Sequence, residues 1–124
     1  MKSIKYWILL ILISALFVSC SQVSDSDKGN ENNVPTIVKL GRDDCQPCVE
    51  MNRILKNVSD QMGNKADIRI INIEENPDSI SRFGISAIPT TIFFDLDGKE
   101  RYRFKGVIAQ DKIIEYISKC EVMR

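Results

Sequence analysis

The sequence predicts an α/β fold, a mixed central sheet flanked by helices in the order β-α-β-α-β-β-α. Short β-branched runs alternate with helical apolar periodicity from Pro35 onward, and the turn signal Asp97-Gly98 separates the last two strand-like runs. A chain of 124 residues with 44% hydrophobic content forms one domain with a core of its own.

The elements follow in order. Thr36-Ile37-Val38-Lys39-Leu40 reads as a buried strand, and Gly41 to Asp44 as the loop after it. In the next segment Met51, Ile54, Leu55, Val58 and Met62 recur at i, i+3, i+4, i+7 and i+11, which gives a helix one apolar face. Gly63-Asn64 ends it. Ile68, Ile70, Ile71 and Ile73 are dense enough to predict a parallel central strand covered on both faces. Asn76 reads as an N-cap with Pro77 at the first helical position, and Gly84 closes that short helix. Thr91-Ile92-Phe93-Phe94 is a strand, and on the returning strand Tyr102 and Phe104 alternate with Arg101, Arg103 and Lys105. Gly106 breaks it before a last helix carrying Ile113, Ile114 and Ile117.

The first 19 residues predict a lipoprotein signal peptide. Lys2 and Lys5 form a positive start, Tyr6 to Val18 an apolar run, and Phe17-Val18-Ser19-Cys20 resembles the bacterial lipobox, with Cys20 as lipid attachment site. The apolar run is short of the roughly 20 residues that span a bilayer. Residues 20–33 predict the lipidated cysteine and a flexible tether too polar to order itself, reaching at most about 45 Å. Residues 34–124 form the folded domain. The expected location is outside the cytoplasm, membrane-anchored in a bacterium and facing periplasm or exterior, a compartment where disulfides persist.

Charge and composition exclude several function classes. Seventeen basic against 17 acidic residues leave no basic patch for nucleic acid. The absence of histidine removes the usual general base and the usual zinc nitrogen ligand. Chemistry then falls to Cys, Lys, Asp, Glu or the backbone. The pair in Cys45-Gln46-Pro47-Cys48 is compatible with redox exchange, a metal site or a structural staple. Zinc is disfavoured because only Cys120, itself expected as a partly buried small residue near the last helix, remains as a further thiolate ligand once Cys20 is acylated. A permanent disulfide closing so short a loop constrains the unfolded chain little.

Residues 34–119 resemble the thioredoxin family. The resemblance rests on Cys45-Gln46-Pro47-Cys48 at a strand-to-helix junction, on Asn72-Ile73-Glu74-Glu75-Asn76-Pro77, on Phe83-Gly84-Ile85-Ser86-Ala87-Ile88-Pro89-Thr90, and on Gly106 before the last helix. It implies a thioredoxin-like fold and a thiol-disulfide oxidoreductase of protein-disulfide reductase type, with no cofactor beyond the Cys45-Cys48 pair and no metal. At the helix N-terminus, unsatisfied N–H groups and the helix dipole favour a Cys45 thiolate, so Cys45 is the expected attacking sulfur and shielded Cys48 the resolving one. Pro47 stiffens the first turn at a position without an intrahelical hydrogen bond. By resemblance, Pro89 has a cis peptide bond and forms with Ile88 a ledge for extended substrates; a trans proline opening an edge strand is the alternative.

The chain departs from the family at several positions, among them Ile70, where the family's partner lysine on the next strand is expected. Asp44 stands where thioredoxins have Trp before the first cysteine, and Gly41 where another Trp is frequent. Lys39 stands where thioredoxins bury an Asp that assists proton transfer. A charged Lys39 favours thiolate, a neutral one accepts the proton of Cys48, and a snorkelling one does neither. Lys39, Asp44 and Pro47 are therefore expected modulators of the site. Expected partners are disulfide-containing proteins, a membrane thiol electron donor and the membrane through the N-terminal lipid, with the protein a monomer. The other readings are a non-catalytic binding or chaperone module and a thiol peroxidase.

Overall fold

Alternation of β-branched and amphipathic segments produces a four-stranded mixed sheet with helices on both faces. The computed structural model describes residues 33–123; the expected signal peptide, Cys20 and all of the tether but Asn33 lie outside the described residues. In chain order the elements are β1 (Thr36–Gly41), α1 (Gln46–Met62) with a 3-10 turn at Gly63–Lys65, β2 (Asp67–Asn72), α2 (Asp78–Arg82), β3 (Thr90–Phe94), β4 (Glu100–Lys105) and α3 (Gln110–Val122). The sheet order is β2-β1-β3-β4, with β2 parallel to β1 and the other neighbours antiparallel.

Strand periodicity divides β1 between two cores. Ile37 joins Met51, Leu55 and Val58 of α1, Phe93 of β3, and Ile113, Ile117 and Cys120 of α3 in the larger core. Val38 and Leu40, on the opposite face, pack with Ile92, Phe83 and Ile85. Burial of successive β1 side chains on both faces removes apolar area from water at about 25 cal/mol per Å², which makes β1 the central strand. The alternation foreseen in β4 places Tyr102 and Phe104 against Tyr116 of α3, with ring centroids 4.6 and 4.8 Å away.

The structure corrects three expectations. Among the described residues β2 is an edge strand, not a central one, and Ile70 is 49% exposed. A dense run of isoleucines has no periodicity that distinguishes an edge from a centre. At α2, Pro77 occupies the cap position and the Asn76 side chain turns back to donate to the Asn72 carbonyl; the Asn76 carbonyl accepts the Ser79 N–H instead. Cys120, expected to be partly buried near the last helix, is fully buried within it.

One buried charge organises the hairpin. Asp95 is inaccessible to solvent, and its carboxylate accepts the Asp97 and Lys99 N–H groups and an ion pair from Arg101. The pairing passes from Phe93↔Tyr102 to Phe94↔Glu100, leaving Arg101 as the extra residue of a bulge. Burial pushes the Asp95 carboxyl up, but these hydrogen bonds and the guanidinium outweigh it and hold it below the ordinary carboxylate range.

Candidate active site

The end of β1 and the start of α1 build the site. Cys45 is the N-cap residue of α1, with extended backbone at φ −102° and ψ 111°, and its carbonyl accepts the Val49 N–H at 3.0 Å. No side chain caps this helix, so its sulfur stands at the end where backbone donors lack intrahelical acceptors. Pro47 sits in the exposed first turn, as its missing donor permits. Cys45 is half-buried, whereas Cys48, one turn inward, is fully buried. Both are free thiols.

The two thiols lie close enough to influence each other. Burial is the main cause that pushes the Cys48 thiol up, and the neighbouring Cys45 thiol adds to it; the Arg42 backbone and the Lys39 charge pull the other way and do not offset it. Cys48 therefore holds its proton more tightly than a free cysteine does. The loop carrying the pair is tied down from β2: the Ile73 N–H donates to the Gly41 carbonyl, and Asn72 Nδ2 donates to Asp43 Oδ2, each at 3.0 Å. Asp44 forms an exposed ion pair with Arg42 at 3.2 Å, a rim position consistent with a weak, solvent-screened interaction.

Lys39 does not snorkel. It is 1% exposed and faces the first turn of α1. A side-chain carbon built on Gly41 would lie 2.6 Å from Lys39 Nζ and 2.8 Å from Cys48 Sγ, so both atoms converge on the space that glycine leaves empty. Burial pushes the Lys39 amine down, although Cys48, Cys45 and Asp43 each pull it up.

The second wall of the site comes from β3. The Ile88-Pro89 peptide is cis. Because Leu40 pairs with Thr90, the antiparallel register places Pro89 beside Gly41, at the end of the sheet from which the cysteine loop departs. The Pro89 carbonyl accepts the Gly106 N–H at 2.8 Å, and Thr90 Oγ1 donates to the Ala87 carbonyl at 2.6 Å. Ile88 is half-buried and Pro89 buried. Cys45, Cys48, Lys39, Asp44, Pro47, Ile88 and Pro89 thus gather at one end of the sheet, while Cys20 lies outside the described residues. The sequence reading missed Gly41 as a clearance for Lys39. No local signal marks it, because the clearance depends on the burial of Lys39 and Cys48, which packing alone decides.

Comparison with known proteins agrees with this geometry. The thioredoxin family model matches residues 22–119. Thioredoxin from Rickettsia bellii is 29% identical over 101 residues, covering 79% of this chain and 95% of its own. Thioredoxin from Rhodospirillum rubrum is 30% identical over 83 residues, covering 67% and 79%. Among solved structures, chloroplastic thioredoxin z superposes with a TM-score of 0.66 at 25% identity, covering 72% of this chain and 80% of that one. A redox-capable Cys-x-x-Cys at a helix N-terminus, on this sheet and with this family match, places the chain in the thioredoxin family of thiol-disulfide oxidoreductases.

Proposed function

We propose that the protein reduces disulfides in other proteins outside the cytoplasm, tethered to a membrane through Cys20. The observation that carries the chemistry is the asymmetry of the two thiols: Cys45 reaches solvent at the helix end and Cys48 does not. A Cys45 thiolate attacks a partner disulfide and forms a mixed disulfide, releasing one partner thiolate. Cys48 then attacks Cys45 Sγ, closing the Cys45-Cys48 disulfide and releasing the second. The partner gains two electrons and the pair loses two. Ile88 and Pro89 present the backbone ledge for an extended segment of the partner. A membrane thiol carrier returns the electrons. The reducing direction is favoured by Pro47 and Ile88, which resemble the family's reducing members; the tether is favoured by the lipobox-like Phe17-Val18-Ser19-Cys20.

Cys48→Ala expressed in the natural host is expected to trap partners as mixed disulfides at Cys45, released by dithiothreitol and absent from Cys45→Ser. A Cys45-Cys48 potential as oxidising as that of a disulfide-forming catalyst would reverse the direction. Intact mass of the membrane fraction is expected to show a chain beginning at lipidated Cys20; an unacylated chain still carrying Met1 rejects the tether.

A further inference from the structure

The outer edge of β2 has no strand beside it among the described residues. Such edges are commonly guarded by proline, by charged side chains such as lysine, or by a bulge. β2, Asp67-Ile68-Arg69-Ile70-Ile71-Asn72, contains neither proline nor lysine, and its register with β1 is unbroken. Its two charges have opposite sign and satisfy each other: Arg69 Nη2 lies 2.6 Å from Asp67 Oδ2, on an exposed side chain. The ladder fixes where the remaining backbone groups point. The Asp67 N–H donates to the Pro35 carbonyl and the Ile73 N–H to the Gly41 carbonyl, so odd-numbered residues turn their N–H and C=O groups towards β1. Ile68 and Ile70 turn theirs outward. Ala66, just before the strand, shares the extended backbone at φ −149° and ψ 144° and continues that edge.

From this edge we infer a self-association surface: β2 pairs antiparallel with β2 of a second copy, Ile68 lying opposite Ile68. Charge decides the register. A two-fold pairing centred on a residue sets outward-facing groups opposite one another, as hydrogen bonding requires. Centring on Asp67 or Arg69 puts like charges directly across, where they repel. Centring on Ile70 or Ile71 sets Arg69 against an isoleucine and matches no charge, and centring on Asn72 runs into the turn that follows the strand. Centring on Ile68 sets each Asp67 opposite the Arg69 of the other copy, so the two ion pairs within the strands close into a quartet of alternating charge. The same register places Ile70, 49% exposed, against Ala66 of the second copy. The contact is short, so copies separate in dilute solution and join where they are concentrated. The monomer expected from the sequence is then the dilute form. Because the paired strands run in opposite directions, the two cysteine loops lie at far ends of the joined sheet and both stay open.

The test uses the full chain in its natural host, carrying Cys45→Ser and Cys48→Ser so that exchange chemistry neither makes nor opens the reporting disulfide. Ile68→Cys is added and the cells are treated with a mild thiol oxidant; the chain without Ile68→Cys is the blank. Residues opposed in a hydrogen-bonded antiparallel pair have Cα atoms about 5.5 Å apart, within disulfide reach. A disulfide-linked dimer on a non-reducing gel is the expected product. Ile70→Cys is expected to give none, since its two copies stand about 13 Å apart in this register. Arg69→Asp, added to Ile68→Cys, is expected to lower the yield about tenfold by setting carboxylates opposite each other. The exchange Asp67→Arg with Arg69→Asp, which keeps the ion pair within the strand, is expected to restore it and so reports that the loss came from charge and not from misfolding. No dimer with Ile68→Cys, more dimer with Ile70→Cys than with Ile68→Cys, a yield unmoved by Arg69→Asp, or a charge exchange that fails to restore it overturns the pairing.

Discussion

At the residue scale, buried polar side chains are costly unless something compensates them, and Asp95 shows the compensation in full. Its carboxylate is satisfied by two backbone donors and Arg101, so Asp95→Asn is expected to lose about 2–4 kcal/mol by removing a charge-assisted network from the core. Urea denaturation at neutral pH measures it. The folded Asp95 carboxyl stays ionised to lower pH than an unfolded one. Its stabilisation is therefore complete above the unfolded value of about 4 and is lost as pH falls through the lower folded value. In Asp95→Asn that part of the acid dependence disappears. Sequence made Asp97-Gly98 legible as a turn, but not Asp95 as a buried acid. Its partners are Lys99, Asp97 and a bulged Arg101, and a one-residue bulge leaves no periodic signature.

At the element scale, α1 was readable because its burial obeys the 3.6-residue period. Met51, Leu55 and Val58 are all fully buried, on the same face as Cys48. Leu55→Ala is expected to cost about 2–5 kcal/mol through lost burial and a residual cavity. β2 behaves differently. Its isoleucines look like a core strand, but at an edge with Ile70 half-exposed, Ile70→Thr is expected to change stability by no more than about 0.5 kcal/mol. A loss comparable to that of Leu55→Ala, measured in the same denaturant series, would show that Ile70 is covered. The difference lies in packing partners: α1 meets β1, β3 and α3, and β2 has one neighbouring strand among the described residues.

For the whole molecule, the site is built at the expense of the core. Burial lowers the Lys39 amine relative to its value in the unfolded chain, so the folded protein binds fewer protons there between the lowered folded value and the unfolded value of about 10.4. Stability rises with pH across that window. Lys39→Met is accordingly expected to stabilise the fold by about 1 kcal/mol or more near neutral pH. Its advantage shrinks towards pH 10, and thermal melts of parent and variant across that range measure it.

By itself the sequence determined the element order, the helical face of α1, the position of Cys45-Gln46-Pro47-Cys48 at a strand-to-helix junction and the family, because these depend on residue periodicity and local motif chemistry. Only the tertiary structure decided which strand is central and that Lys39 points at the sulfurs rather than at water. Those outcomes depend on sheet order and register between segments distant in sequence. The pairings of Leu40 with Thr90 and of Lys39 with Thr91 bring Pro89, Thr91, Gly41 and the thiols to one end of the sheet.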